Sequence, residues 1–287
     1  MNRLLKYDFV GFLLASRLPN LFIIGSTQYL TALLLVSDFT DKPGIIYSLS
    51  FFLMVTSTLA IAAGGYIIND YYDQKIDMIN RPKEVVVGTR LRRRLAMAAH
   101  LALTLGGIVL GFYLKMSLGI VHLLSGFLLW YYSNSLRRIP VVGNLVIAAL
   151  SGLSLLVVLI YLDRNDPLVF AYSIFAATII LIREVIKDME DVKGDATFGA
   201  QSIPLVWGIR GAKVFIYIVI AGGSFALISF LILVNSWPVR YYFLALFPIF
   251  VWFSFRLFKA DKQRDYSRLI DFTNLIIFTG LISMLII

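Results

Sequence analysis

Nine apolar stretches of bilayer-crossing length punctuate the chain, at residues 9–36, 45–69, 95–114, 118–133, 141–162, 168–187, 213–234, 237–258 and 269–287. A helix crosses a hydrocarbon core about 30 Å thick with about 20 apolar residues. Inside that core the backbone must satisfy its own hydrogen bonds, which leaves helices as the economical solution. The repeated length therefore predicts an all-α integral membrane protein with nine transmembrane helices. Composition agrees: 59% of the 287 residues are hydrophobic and 15% are charged, with a mean hydropathy of +0.83, whereas a soluble domain carries roughly 25% charged residues. The absence of Cys excludes disulfides, thiolate nucleophiles and Cys-ligated metal centres. Met1 to Val36 sets Arg3 and Lys6 ahead of a long apolar run with no short cleavable segment, and reads as a retained first span.

The formal net charge of +9 could suggest a nucleic-acid partner, but its distribution argues otherwise. With the N-terminus inside, all of the 26 Lys and Arg except Lys42, Lys115, Arg164 and Arg240 fall on the inner side. That asymmetry orients a multi-pass protein in the cell membrane, with a cytoplasmic N-terminus and an outer C-terminus, and requires no nucleic acid. The outer connections are short. Two inner ones, 70–94 and 188–212, are long, and each opens with a group of carboxylates. Their recurrence four spans apart suggests a duplicated half within one domain over residues 1–287.

The first group reads Asn69-Asp70-Tyr-Tyr-Asp73-Gln-Lys-Ile-Asp77, and the second reads Asp188-Met-Glu-Asp191-Val-Lys-Gly-Asp195. Both place Asp at i, i+3 and i+7, which shares one face of a helix. A single Asp triplet at a helix end ordinarily makes a solvated acidic face; two of identical spacing on the same side point to a shared task. Left in hydrocarbon, each charge would cost about 2.5–3.5 kcal/mol. The groups therefore belong in a watered cytoplasmic mouth and hold cations. Carboxylate oxygens without Cys or a neighbouring His suit a hard ion, and Mg²⁺ carried by a few carboxylates and substrate phosphates is the usual arrangement.

These residues resemble the UbiA superfamily of intramembrane prenyltransferases. Its first signature, N-D-x-x-D-x-x-x-D, matches Asn69, Asp70, Asp73 and Asp77, and its second, D-x-x-D-x-x-x-D, matches Asp188, Asp191 and Asp195. Asn80-Arg81-Pro82, Tyr132-Ser133 through Gly143-Asn144, and Arg183-Glu184-Val-Ile-Lys187-Asp188 are similar too. The resemblance implies nine helices around a central cavity, with the Asp residues and Asn69 as Mg²⁺ ligands. Asp70, Asp73, Asp188 and Asp191 would carry catalysis, on a prenyl diphosphate donor and a lipophilic acceptor in the membrane. Within the superfamily, the segments around Arg81 and Arg183 are most similar to those of enzymes that prenylate geranylgeranylglyceryl phosphate to an ether lipid. An aromatic acceptor, of the hydroxybenzoate or naphthoate type, is the alternative. Two positions depart from the common pattern: Arg137 stands where many relatives carry Lys, and Glu84-Val-Val-Val-Gly88 replaces a Pro-Ser-Gly type turn.

Basic and polar residues on the inner side supply candidate substrate contacts. Arg17 and Asn20 lie one turn apart beside Pro19; Arg81 follows the first motif; Tyr132, Arg137 and Arg138 close span four; Arg183, Lys187 and Lys193 flank the second motif. Arg forks onto phosphate oxygens, whereas Lys acts as a point charge. Against these stand bland readings: a snorkelling Arg17 and plain inside-positive charge for Arg137 and Arg138, the latter preferred for Arg92, Arg93 and Arg94. His100 and His122 lack a ligand partner at useful spacing and read as structural. Tyr71, Tyr72, Tyr131 and Tyr132 lie close enough to the motifs to face an allylic cation. A cation-coupled transporter would place its carboxylates near the midplane on broken helices. A CDP-alcohol phosphotransferase would require an Asp-x-x-Asp-Gly motif, which is missing.

Overall fold

A computed structural model describes residues 2–36, 44, 47–233 and 237–286, with side chains described from residue 8 onward except at 230–233. Residues 38–43 of the outer connection, with Lys42, and the side chains of Arg3 and Lys6 lie outside that description. The helices in chain order are α1 (Asn2–Ala15), α2 (Leu18–Leu30, prolonged by a π-helical turn at Thr31–Leu35), α3 (Leu49–Asn80), α4 (Arg93–Leu114), α5 (Met116–Asn134), α6 (Val142–Leu162), α7 (Pro167–Glu190), α8 (Val192–Thr197), α9 (Ile203–Leu233), α10 (Trp237–Lys259) and α11 (Gln263–Ser283). Among the described residues, nine helical segments are long and apolar enough to cross a bilayer. The protein is an all-α, multi-pass membrane protein.

Several expected boundaries move. The stretch 9–36 is two helices, and the crossing segment runs Leu18–Leu35. The break falls at Ser16 and Arg17, where Arg17 adopts a left-handed φ of 52°. Pro19 explains it: proline has no N–H to extend a helix arriving from α1, yet suits the first turn of a new one. The second span, expected to end at 69, continues as helix to Asn80, so the first Asp motif rides on the last turns of α3. The seventh begins at Ile203 rather than 213, kinked at Gly208, whose φ of 72° only glycine adopts without strain. Much of both long inner connections is therefore helix.

The chain divides into two compact units, Met1–Gln28 with Asp41–Arg137, and Tyr29–Thr40 with Arg138–Ile287. In the first, α3 packs against α4 and α5. The two histidines serve those contacts, as their isolation in sequence suggested: His100 Nδ1 lies 3.0 Å from the Gly64 carbonyl oxygen, and His122 Nε2 lies 3.2 Å from Thr58 Oγ1. In the second unit, α7 is central and packs against α6, α9 and α11. The Tyr172 hydroxyl meets Ser283 Oγ at 2.8 Å within a core of Phe175, Ile179, Ile182 and Phe243.

The central helix of the first unit carries its Asp motif, and that of the second carries the motif's first Asp, Asp188. In both α3 and α7, 61% of the apolar window is buried within the protein, against 17–39% for the other seven spans. Helix association in lipid relies on close packing at small residues. At Gly152 of α6 an added Cβ would stand 2.9 Å from the Ser173 carbonyl oxygen of α7, whose hydroxyl also donates to the Gly152 carbonyl. Gly152→Val is therefore expected to lower thermal stability in detergent by about 1–3 kcal/mol, the usual cost of overpacking. Gly106→Val, where an added Cβ meets nothing within 4 Å, is the control. Equal unfolding midpoints for the two variants would contradict this packing.

Candidate active site

In the first unit, Asp70, Asp73 and Asp77 descend the final turns of α3, and the helix keeps them on one side as their spacing predicts. Asp73 is the most enclosed, 4% exposed; Asp70 and Asp77 are half-buried. Buried carboxylates are tolerated only when paired. The partners here come from distant parts of the chain. Arg17 Nη2 lies 2.8 Å from Asp70 Oδ1, its guanidinium 5.2 Å from the centre of the Tyr66 ring. Arg137 forms an ion pair with Asp73, at side-chain exposures of 15% and 6%. Asn69 Nδ2 donates to Asp73 Oδ2 at 2.6 Å. On α3 the motif thus carries two polar groupings, Arg17 with Asp70, and Arg137 and Asn69 with Asp73.

Backbone contacts shape the neighbouring helix ends. The left-handed turn at Arg17 accepts the Asn20 amide at 2.8 Å, and the Arg81 N–H donates to the Asp77 carbonyl oxygen at 2.7 Å, ending α3. Tyr132 is buried near the end of α5. The tyrosines beside the motif are otherwise engaged than expected: Arg93 lies over the Tyr71 face at 4.7 Å, and the Tyr71 and Tyr72 rings meet edge to face at 5.5 Å. Tyr131 is exposed and stacks on Phe127.

The second unit departs from the expected single helical face. Helix α7 ends at Glu190, Asp191 sits at the junction with φ −93° and ψ 7°, and Asp195 belongs to the short α8. Asp and Gly are poor helix formers, and Asp191 with Gly194 weakens the stretch enough to bend. The Asp195 N–H still donates to the Asp191 carbonyl oxygen at 3.1 Å. Asp191 and Asp195 are 2% and 4% exposed, deeper than a loop position suggests. Asp188 Oδ2 accepts from Asn144 Nδ2 of α6 at 2.9 Å.

Around these run contacts that tie α7 to α11. Arg183 Nε donates to Asn274 Oδ1 at 3.0 Å and Ser267 donates to Glu190, while within α7 Arg183 Nη1 donates to Glu184 Oε1 at 2.8 Å. Asn144, Asn274 and Ser267 carry no ionisable group and no motif spacing; only Asn144, in the Gly143-Asn144 segment, was signalled by resemblance. Lys187 is half-buried, while Arg138 and Lys193 are exposed. Among the described residues, Arg138 and Lys193 form no ion pair with either motif.

No three His, Asp or Glu groups among the described residues converge into a ready metal cluster. The donor set nevertheless fits a hard divalent ion: oxygen ligands only, several deeply buried, with their charge balanced in the first unit by arginines that can turn to phosphate.

Comparison with known proteins accords with this geometry. The sequence pattern of the UbiA prenyltransferase family matches residues 29–276. The digeranylgeranylglyceryl phosphate synthase of Methanothrix thermoacetophila is 34% identical over 158 residues, which cover 55% of this chain and 59% of that protein. The chain thus spans less than two thirds of that relative's length. A structure solved in work on digeranylgeranylglyceryl phosphate synthase in membranes superimposes with a TM-score of 0.70 at 21% identity, over 97% of this chain and 98% of the other. A UbiA homologue from Archaeoglobus fulgidus bound to GPP and Mg²⁺ gives a TM-score of 0.69 at 14% identity, covering 96% and 99% of the two chains. At such identities the two structures establish likeness of fold.

Proposed function

The chain belongs to the UbiA prenyltransferase family, and from that premise we propose that it moves a polyprenyl group from a prenyl diphosphate to geranylgeranylglyceryl phosphate, forming an ether. The observation that carries this reading is the pairing of buried motif carboxylates with arginines, Asp70 with Arg17 and Asp73 with Arg137. Asn69, Asp70, Asp73, Asp77, Asp188, Asp191 and Asp195 would hold Mg²⁺. When bound, Mg²⁺ supplies positive charge to the diphosphate oxygens.

The chain's own residues do the rest. Arg17 and Arg137, with Arg81, Arg183, Lys187 and Lys193, neutralise the diphosphate as the C1–O bond breaks and its electron pair leaves with the diphosphate. The acceptor hydroxyl oxygen then bonds to C1 and releases its proton to water or to the departing diphosphate. An alcohol captured by an allylic cation needs little assistance from a base. The inner basic residues, including the exposed Arg138, exceed what the donor requires, which suits an acceptor with its own phosphate.

Purified protein supplied with geranylgeranyl diphosphate, Mg²⁺ and a panel of acceptors tests the reading. The glycerol phosphate lipid should be prenylated in preference to 4-hydroxybenzoate and dihydroxynaphthoate, with products identified by mass. If an aromatic acid alone is prenylated, the acceptor assignment is wrong.

The charge asymmetry supports a cytoplasmic N-terminus in the cell membrane. Because the chain has no Cys, single-Cys labelling checks this directly. Thr89→Cys should react only from the cytoplasmic side and Asn165→Cys only from the opposite side, both positions being exposed. Labelling of both from one side rules the orientation out.

A further inference from the structure

We propose that Asp8 is a positioning residue for the diphosphate end of the site: it fastens α1 to the start of α4 and so fixes where Arg17 stands. This rests on the reading of Arg17 as a donor contact. Asp8 lies on α1, ahead of the first span, and is 8% exposed. Its Oδ1 accepts the backbone N–H of Arg92, 84 positions away, at 3.1 Å, and its Oδ2 lies 2.7 Å from Arg92 Nη2. Arg92 is the N-cap of α4, and its own side chain makes no capping bond. A carboxylate borrowed from α1 thus meets the positive end of α4.

The contact is close along its length. One turn after Asp8, an added Cβ on Gly11 would stand 2.3 Å from the Arg90 carbonyl oxygen, so only glycine lets the two backbones approach. Val87, Leu91 and Ala96 bury themselves with Phe12 and Ala15 of α1 and with Ile67 and Tyr71 of α3. The seam therefore runs from Asp8 through Gly11 and Ala15 to the left-handed turn at Arg17, and ends at the Arg17–Asp70 pair and the Tyr66 face. From the other side, Arg93 lies over Tyr71, the residue after Asp70. A helix so anchored at one end delivers a long, rotamer-rich Arg to one place at its other end, where that residue's freedom would otherwise be costly to fix.

The exposure of the Arg92 side chain, 58%, makes its ion pair the weaker strand of the clamp and the backbone bond the stronger. The test follows from that asymmetry, on the full-length protein in detergent or liposomes. Asp8→Ala should raise the KM for a prenyl diphosphate about tenfold with kcat little changed, whereas Asp8→Asn, which keeps an acceptor for the Arg92 N–H, should restore most of the loss. Gly11→Ala breaks the same seam by a different route and should raise the same KM. Tryptic cleavage at Arg90 to Arg94 should quicken in Asp8→Ala and Gly11→Ala.

Combined with Arg17→Gln, the Asp8→Ala change should add less than about twofold, since both act through one group. A full additive loss, or a normal KM in both Asp8→Ala and Gly11→Ala beside an impaired Arg17→Gln, overturns the assignment of Asp8 alone. A normal KM in Arg17→Gln itself overturns the donor reading of Arg17, and the role given to Asp8 with it.

Discussion

Asp73→Asn and Asp191→Asn are expected to lower prenyl transfer by on the order of 10²-fold or more, comparable to removing a preorganised charge-stabilising group from an active site. These two are the most enclosed carboxylates of their motifs, at 4% and 2% exposure. Away from water a charge acts on its neighbours through a lower effective dielectric, so its removal forfeits more than the loss of an exposed one. Asp70 and Asp188, half-buried, should show the same direction with a somewhat smaller loss. By position alone, Asp77 and Asp195 end their motifs and would be the tolerant pair. Burial separates them: Asp195 is 4% exposed whereas Asp77 is half-open. Asp195→Asn should therefore fall with Asp191, and Asp77→Asn should keep more activity. Turnover measured with saturating Mg²⁺ and donor, beside the thermal midpoint of each variant, checks the ranking. Near-normal turnover in all the variants would end the metal-site reading.

What the sequence could show and what it could not divide along physical lines. Spans were legible because bilayer thickness imposes one length on every crossing helix, and the first Asp motif because α3 remains helical through Asn80. Boundaries were less so. Pro19 lies inside an unbroken apolar run, and hydropathy does not register a missing N–H. The bend at Asp191 was hidden by spacing that would also suit a continuous helix. Partners were hardest. Arg17 and Asp70 are 53 positions apart, Asn144 and Asp188 are 44 apart, and Asp8 reaches Arg92 across 84. Charge count alone placed Arg92 and Arg93 among topology signals, yet Arg92 is clamped by Asp8 and Arg93 covers Tyr71. Polar groups without charge, such as Asn274 and Ser267, leave no mark in composition or periodicity.

Arg137→Gln is the second change expected to have a large effect, and it should act in two measurable ways. Arg137 and Asp73 are both mostly enclosed and form an ion pair. Removing one partner of such a pair leaves the other charge desolvated and uncompensated, typically at a cost of about 3–5 kcal/mol. Asn69 offers Asp73 a remaining donor, at 2.6 Å, which should hold the loss near the lower end. The variant should therefore unfold at a lower temperature without Mg²⁺, and added Mg²⁺ should recover part of the difference, because a cation at Asp73 replaces the missing guanidinium charge. Turnover should not recover with it: the diphosphate loses a forked donor, and a drop on the order of 10²-fold is expected even at saturating Mg²⁺. Arg137→Lys separates charge from shape. A point charge still balances Asp73 and still attracts phosphate, so it should stay within about tenfold of the parent activity and close to its stability. A stability loss in Arg137→Gln that Mg²⁺ leaves untouched would argue against Asp73 as a metal ligand. An Arg137→Lys variant as impaired as Arg137→Gln would show that the fork, and not the charge, is what the diphosphate requires.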